Sequence, residues 1–304
     1  MSLPDSGHWD ADNHERLLRM LDGPAGLAVF DFDNTLIYND LGEAAMYYAL
    51  FQGLIPGQLE EYWQQLASYG GFAPEQVQGL RDLFDCFYRA DNEDCLLQFV
   101  DIVLQQYNAM YTTKGMEAAY RWSALCFAWI PVSEWEQIGR YVLAAETRAE
   151  LASQRLPSGL QIPRGIRVYP EIRHLIQALQ ARDWQIRIVT ASPRELIAAV
   201  ISNWGLQPDQ VIGMQLARNA EGEYLPEIIE PLPFQQGKLD ILYASLGEKR
   251  ALDFAAGDSP GDSSILQAAR VGLWIDRGHP EMARLAARHA HIMRQKPFPS
   301  VVGA

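Results

Sequence analysis

The stretch VFDFDNTLIYND, Val29–Asp40, closes an apolar run with two aspartates two residues apart and places a third acid seven residues later. A short apolar run that ends in polar residues is the pattern of a strand covered on both faces. Asp31 then closes a buried strand, and Asp33 follows on the turn with Asn34 and Thr35 behind it. Like charges collected at such a place repel each other, and they are tolerated when a divalent cation joins them through hard oxygen ligands.

Three more segments read the same way: WQIRIVT (184–190), ALDFAAGD (251–258) and VGLWID (271–276). SPRELIAAVISNWG (192–205) predicts a helix in which Ser192 caps, Pro193 takes the first position, Glu195 completes a capping box and Gly205 ends the run. Leu196, Ile197, Val200, Ile201 and Trp204 form its buried stripe. This alternation predicts a doubly wound, Rossmann-like α/β core with a parallel sheet, where ligands sit beyond the carboxyl ends of the strands. The long interval 38–165 lacks β-type alternation and reads as six helical segments, from LGEAAMYYALF to SEWEQIGRYVLAAETRAELASQ. It is expected to be an inserted helical cap domain, leaving 1–37 and 166–304 as the α/β core.

With 304 residues, 48% of them hydrophobic, the chain has ample core material. A net charge of -13 repels nucleic acids and anionic membranes, so neither is expected as a partner. The longest apolar candidate, ALCFAWIPV (124–132), falls well short of the roughly 18 residues of a membrane span. Cys86, Cys95 and Cys126 form no C-x-x-C pair and no even framework, and are expected to be buried or incidental thiols. The opening MSLPDSGHWDADNHERLL has no basic stretch followed by an apolar one. The expectation is a cytoplasmic protein, or a periplasmic one if a signal peptide has been removed.

The polar residues at the strand ends form a constellation. Asp31 and Asp33 suit a nucleophile with an acid/base partner. Thr190 offers a hydroxyl where the second strand meets a helix, with Ala191 and Ser192 beside it. Lys238, in QQGKLDIL, offers a compact positive charge, and Asp258 and Asp262, in GDSPGDSS, add metal-binding oxygen. Together these groups can hold one phosphoryl group, with Mg2+ as the expected cofactor and a small phosphorylated molecule as the expected substrate.

Here the sequence resembles the haloacid dehalogenase-like hydrolase superfamily, through DFDNTL (31–36), VTAS (189–192), the lysine of GKLDIL (237–242) and GDSPGDSSIL (257–266). The resemblance implies that Asp31 is a nucleophile forming an aspartyl-phosphate and that Asp33 protonates the leaving oxygen and later activates water. It also implies that Thr190 and Lys238 hold the phosphoryl group. Asp31, Asp258, Asp262 and the main-chain carbonyl of Asp33 would support magnesium. Asn34, Thr35, Ala191 and Ser192 are the expected substrate-facing neighbours. VIGMQLARNAEGEYL and the position of the insert resemble the phosphoserine phosphatase branch, and DFDNT followed by DLGEA is similar to bacterial phosphorylcholine phosphatases. By that similarity Asp40 or Glu43 faces a cationic end of the substrate.

The insert holds 20 of the chain's 32 aromatic residues, and 16 acids against 8 bases. That composition suits a quaternary ammonium, which binds on ring faces. The expected activity is hydrolysis of a phosphomonoester with an amine or quaternary ammonium end. A phosphoserine-type phosphatase, which needs a base such as Arg81, Arg89 or Arg121 for the substrate carboxylate, and a phosphotransferase are the alternatives. A catalytically idle binder docking partners through tryptophan-rich helices is the alternative of another class.

Overall fold

Leu27, Ala28, Val29 and Phe30 are all fully buried, and they form β1 (Leu27–Phe30), the middle of a seven-stranded sheet. The computed structural model describes residues 3, 4 and 7–298. Before β1 lies α1 (Ala11–Leu21), and after it come β2 (Ile37–Tyr38) and six helices: α2 (Leu41–Phe51), α3 (Glu60–Ser68), α4 (Pro74–Ala90), α5 (Glu93–Lys114), α6 (Met116–Phe127) and α7 (Val132–Glu146). A hairpin of β3 (Ala152–Arg155) and β4 (Gln161–Arg164) precedes β5 (Arg167–Val168). The remaining chain runs α8 (Pro170–Gln180), β6 (Gln185–Pro193), α9 (Arg194–Ala198), β7 (Val211–Arg218), β8 (Tyr224–Ile229), α10 (Gln236–Leu246), β9 (Leu252–Gly257), α11 (Ser263–Ala268), β10 (Ala269–Ile275), α12 (Pro280–Arg288) and β11 (Ile292–Gln295).

The sheet order is β11-β10-β9-β1-β6-β7-β8, parallel except for β8 at one edge. Alternate residues of β1 enter different hydrophobic clusters. Ala28 and Phe30 pack with Leu17, Leu21, Ile172 and Leu175 of α1 and α8. Leu27 and Val29 pack with Leu242, Ile265, Leu266 and Met282 of α10, α11 and α12. Helices on both faces explain why the strands read as unbroken apolar runs. From β1 the chain builds the sheet outward in both directions, so the carboxyl ends of β1, β6 and β9 border the switch point where such sheets bind ligands.

Between β2 and β5 the chain leaves the sheet and returns. Ile37 pairs with Val168 and Tyr38 with Arg167, antiparallel, and Asn39 Nδ2 donates to the Gly165 carbonyl at 2.6 Å. Asn39 and Gly165 both have left-handed backbones, φ 69° and 83°. The helices between them bury Trp63, Phe99, Trp122 and Trp135 in a cluster continuous with the first face of the sheet.

Three expectations differ from the structure. The last insert segment is helical only to Glu146, after which Pro157, Gly159 and Pro163 favour the β3–β4 hairpin instead. Ser192 does not cap a helix, because β6 stays extended to Pro193, which pairs with Met214. A short α9 and a separate 3-10 turn, Ile201–Trp204, follow, although Leu196, Ile197, Val200, Ile201 and Trp204 are all buried as the stripe requires. Finally, Cys86 and Cys95 are not incidental thiols: the short turn between α4 and α5 brings their Cα atoms to 6.1 Å and they form a disulfide.

Burial pushes the remaining thiol, Cys126, up to about 12, so it stays protonated and unreactive while the chain is folded. We predict one titratable thiol in denatured, unreduced protein and three after reduction. More than one before reduction rules the cross-link out. Cys86→Ser should lower stability by about 2–3 kcal/mol in a denaturant titration, since the closed loop is short.

Candidate active site

Asp31 extends the β1 ladder by one bond, its N–H donating to the Ala256 carbonyl of β9 at 2.9 Å. Its carboxylate accepts from Lys238 Nζ at Oδ1 (2.7 Å) and from Thr35 Oγ1 at Oδ2 (3.1 Å). Lys238 reaches it from the first turn of α10 and donates equally to Asp262 Oδ1 (2.6 Å). The start of α10 is tied to the turn after β9, Gln235 N–H donating to the Gly261 carbonyl at 2.7 Å. Asp262 Oδ2 closes that turn by accepting from the Asp258 and Ser259 N–H groups, both at 3.0 Å, and from Ser259 Oγ at 3.2 Å. Trp274 Nε1 donates to the Asp258 carbonyl at 2.9 Å, and Arg277 Nη1 donates to Asp258 Oδ2 at 3.3 Å.

Asp33 points to the other side. Its Oδ1 accepts from the Leu41 N–H at 2.7 Å and its Oδ2 from Ser192 Oγ at 2.7 Å, with Thr190 Oγ1 at 3.5 Å. Beyond it, Asp40 caps α2 by accepting from the Glu43 N–H at 2.7 Å, and Glu43 accepts from the hydroxyls of Tyr47 (3.1 Å) and Tyr107 (2.9 Å). All of these carboxylates line one cavity of about 420 Å³ between the sheet and the insert, except Asp262, which lies behind it.

Burial dominates the electrostatics. It pushes Asp33 up to about 6 and Asp258 up to about 7, against the hydrogen bonds from Ser192 and Leu41 at the first and the charge of Arg277 at the second. It also raises Asp31, which Lys238 draws back down, and Asp40 and Glu43, the latter opposed by its two tyrosine hydroxyls. For Lys238 burial works against the charge, but Asp262 and Asp31 outweigh it and hold the ammonium protonated.

The structure brings Asp31, Asp33, Asn34, Asp40, Glu43, Thr190, Ala191, Ser192, Lys238 and Asp258 to the cavity wall. Thr35 is the exception among the expected substrate neighbours: fully buried, it turns inward and orients Asp31. Asn34, with a left-handed backbone (φ 57°), leaves its buried Oδ1 without a hydrogen-bond partner. Sequence reasoning missed Arg277 and His279, which line the cavity just past the end of β10. The signal was available in part, since a cation following a buried strand lies where the sheet's ligands collect.

Residues 133–267 match the model of the haloacid dehalogenase-like hydrolases. Over that stretch the chain is similar to a haloacid dehalogenase-like hydrolase domain. The match includes Thr190, Lys238, Asp258 and Asp262, while Asp31 joins them through the pairing of β1 with β6 and β9. A functionally unknown protein from Anaerococcus prevotii shares the fold at 18% identity and a TM-score of 0.79, over 97% of this chain and 94% of its own. A protein of unknown function from Bordetella pertussis follows at 16% identity and TM-score 0.53, over 89% and 99%. A phosphoserine phosphohydrolase-like protein from Francisella tularensis aligns at 14% identity over 89% and 95%, but with a TM-score of only 0.45. No curated protein sequence matches.

Haloacid dehalogenase-like hydrolases generally use Mg2+, and the donors of this domain fit it. One oxygen from each of Asp31, Asp258 and Asp262 lies within 4.8 Å of the others, and all three residues are buried. Hard, anionic oxygen is what magnesium selects. Asp262 already accepts four hydrogen bonds, so Asp31 and Asp258 are the less committed donors.

An acid whose folded pKa lies above its unfolded one binds more protons when folded, so it supports stability below the unfolded value and loses that contribution as pH rises through the folded value. Asp33 and Asp258, at about 6 and about 7, put that loss between about pH 4 and 7. A divalent cation stabilises only the ionised cluster. The rise in Tm on adding magnesium is therefore expected to be larger at about pH 7.5 than at about pH 5.5. Equal rises at both pH values, by calorimetry, contradict the assignment.

Proposed function

We propose that the protein is a magnesium-dependent phosphatase that hydrolyses a small phosphomonoester with an amine or quaternary ammonium end, through an aspartyl-phosphate on Asp31. The resemblance to bacterial phosphorylcholine phosphatases points to the same substrate class. The observation that carries this reading is Glu43: a half-buried carboxylate held by Tyr47 and Tyr107, in the same cavity as Asp31 and Lys238, with Tyr111 and Tyr120 on its walls. A carboxylate in a cavity with several tyrosine rings suits an organic cation. The arginines of the insert lie elsewhere. Arg81 pairs with Glu60, Arg89 with Asp85, and Arg121 with Glu117 and Glu230.

In the first half-reaction an oxygen of Asp31 forms a bond to phosphorus as the bond to the alcohol oxygen breaks, and protonated Asp33 gives its proton to that oxygen. In the second, ionised Asp33 takes a proton from water, whose oxygen attacks phosphorus, and the Asp31–phosphorus bond breaks to release inorganic phosphate. A carboxyl near 6 can serve in both directions close to neutral pH. In this reading Lys238 and Thr190, both on the cavity wall, donate to phosphoryl oxygens, and Thr35 keeps Asp31 aimed. Magnesium held by Asp31 and Asp258, with Asp262 beside them, would supply positive charge that offsets the negative charge gathering on the phosphoryl oxygens.

Arg277 supports a second reading. Its guanidinium lines the same cavity and can take a carboxylate, which makes a phosphoserine-type substrate the alternative. A phosphotransferase would use an alcohol in place of water.

Phosphate release from phosphocholine, phosphoethanolamine, phosphoserine and an aryl phosphate, with magnesium or a chelator, separates these readings. We expect magnesium-dependent release with phosphocholine preferred, and no detectable release from Asp31→Asn. Glu43→Gln should raise KM for phosphocholine by about tenfold and leave the aryl phosphate nearly unchanged. Preference for phosphoserine selects the alternative, and absence of turnover by folded, magnesium-bound protein rejects both substrates.

A further inference from the structure

The β3–β4 hairpin carries none of the groups that handle phosphate, yet Leu160, Gln161, Ile162 and Pro163 wall the cavity. Its strands pair only with each other, and an isolated two-stranded hairpin is marginal in water. What holds it against the helices decides where that wall stands.

Leu156 and Ile162 seat the hairpin in the main hydrophobic cluster, and two carboxylates fix its base and its tip. At the base, Glu146 at the end of α7 accepts from Arg164 Nη2 (2.8 Å) and Nε (3.1 Å) and from the Gly165 N–H (2.6 Å). At the tip, Asp101 of α5 accepts from the Ser158 N–H at Oδ2 (2.7 Å) and from Ser158 Oγ at Oδ1 (2.6 Å). Ser158 Oγ also accepts from the Leu160 N–H at 3.3 Å, and Leu156 N–H donates to the Leu160 carbonyl at 2.8 Å, so the tip is a closed turn fixed to one side chain. Asp101 is 5% exposed, so few water molecules can replace Ser158. It precedes Leu104, Asn108 and Tyr111 at helical spacing, and those three line the cavity. Helix and hairpin therefore form two walls of one compartment, joined across the Asp101–Ser158 contact.

We propose that Asp101 is a positioning residue: its grip on Ser158 fixes the hairpin wall and sets the space for the alcohol portion of the substrate. The kinetic part of this inference rests on the phosphatase reading, whereas the latch itself does not.

The test uses the whole chain with Asp101→Asn, which keeps the shape and loses the anionic acceptor, and Ser158→Ala, which loses only the hydroxyl. Hydrogen exchange of the 158–162 amides is expected to speed up by about tenfold or more in Asp101→Asn, and less in Ser158→Ala. KM for phosphocholine should rise by about tenfold with kcat within a factor of about two, while KM for acetyl phosphate, with its small leaving group, moves far less. The double variant should show less than the sum of the two single effects, because both changes act on the Asp101–Ser158 contact. Unchanged exchange in Asp101→Asn overturns the latch. Equal changes for both substrates, accompanied by a lower Tm, overturn the positioning role in favour of general destabilisation. If wild type turns over no phosphoester, the phosphatase reading falls, and exchange alone decides whether the latch stands.

Discussion

One ammonium group, that of Lys238, joins three separate parts of the chain at a single nitrogen. It comes from α10, Asp31 comes from the end of β1, and Asp262 comes from the turn after β9. Two buried carboxylates this close would repel strongly without it, and a buried lysine without them would lose its proton. The arrangement is stable only as a set, so the sheet, α10 and the following turn must all be in place together. Asp262 then hands that order on by gathering the N–H groups of Asp258 and Ser259, which leaves Asp258 facing the cavity.

The other acids are kept apart from this cluster by their partners. Asp33 is held by Ser192 and the start of α2, and Glu43 by two tyrosine hydroxyls. The cavity thus has a lysine-neutralised end and an end where buried acid is met only by neutral donors, with Arg277 beside Asp258. Charge is arranged along the cavity as a gradient, and a ligand with unlike ends has one favoured orientation in it.

Much of the α/β core was legible because each strand runs unbroken and then stops at residues a strand interior would not hold. Asp31, Thr190 and Asp258 stand where those runs end, and Lys238 is found by its company. The hairpin was not legible, since ASQR and QIPR are short and largely exposed and carry no alternating apolar pattern. The Cys86–Cys95 bond escaped because a spacing of nine says nothing until two helices fold back on each other. Ser192 has the residue type of a helix cap, but the pull of Asp33 and the pairing of Pro193 with Met214 keep it in the strand. Arg277 is a single cation, and only the fold shows which acid it meets.

The chain enters and leaves the six helices and the hairpin through two strands that touch side by side, with Asn39 and Gly165 at the crossing. Asn39 Nδ2 binds the Gly165 carbonyl, and both backbones are left-handed. The same body is tied again at the edge of the sheet, where the Trp129 N–H donates to the Tyr224 carbonyl at 2.6 Å and the Tyr224 N–H to the Ile130 carbonyl at 3.2 Å, so it is braced at two places and cannot turn about one line alone. At the first of these braces a Cβ at position 165 would lie 2.6 Å from the Glu150 carbonyl oxygen, so the two chain segments meet there as closely as glycine allows.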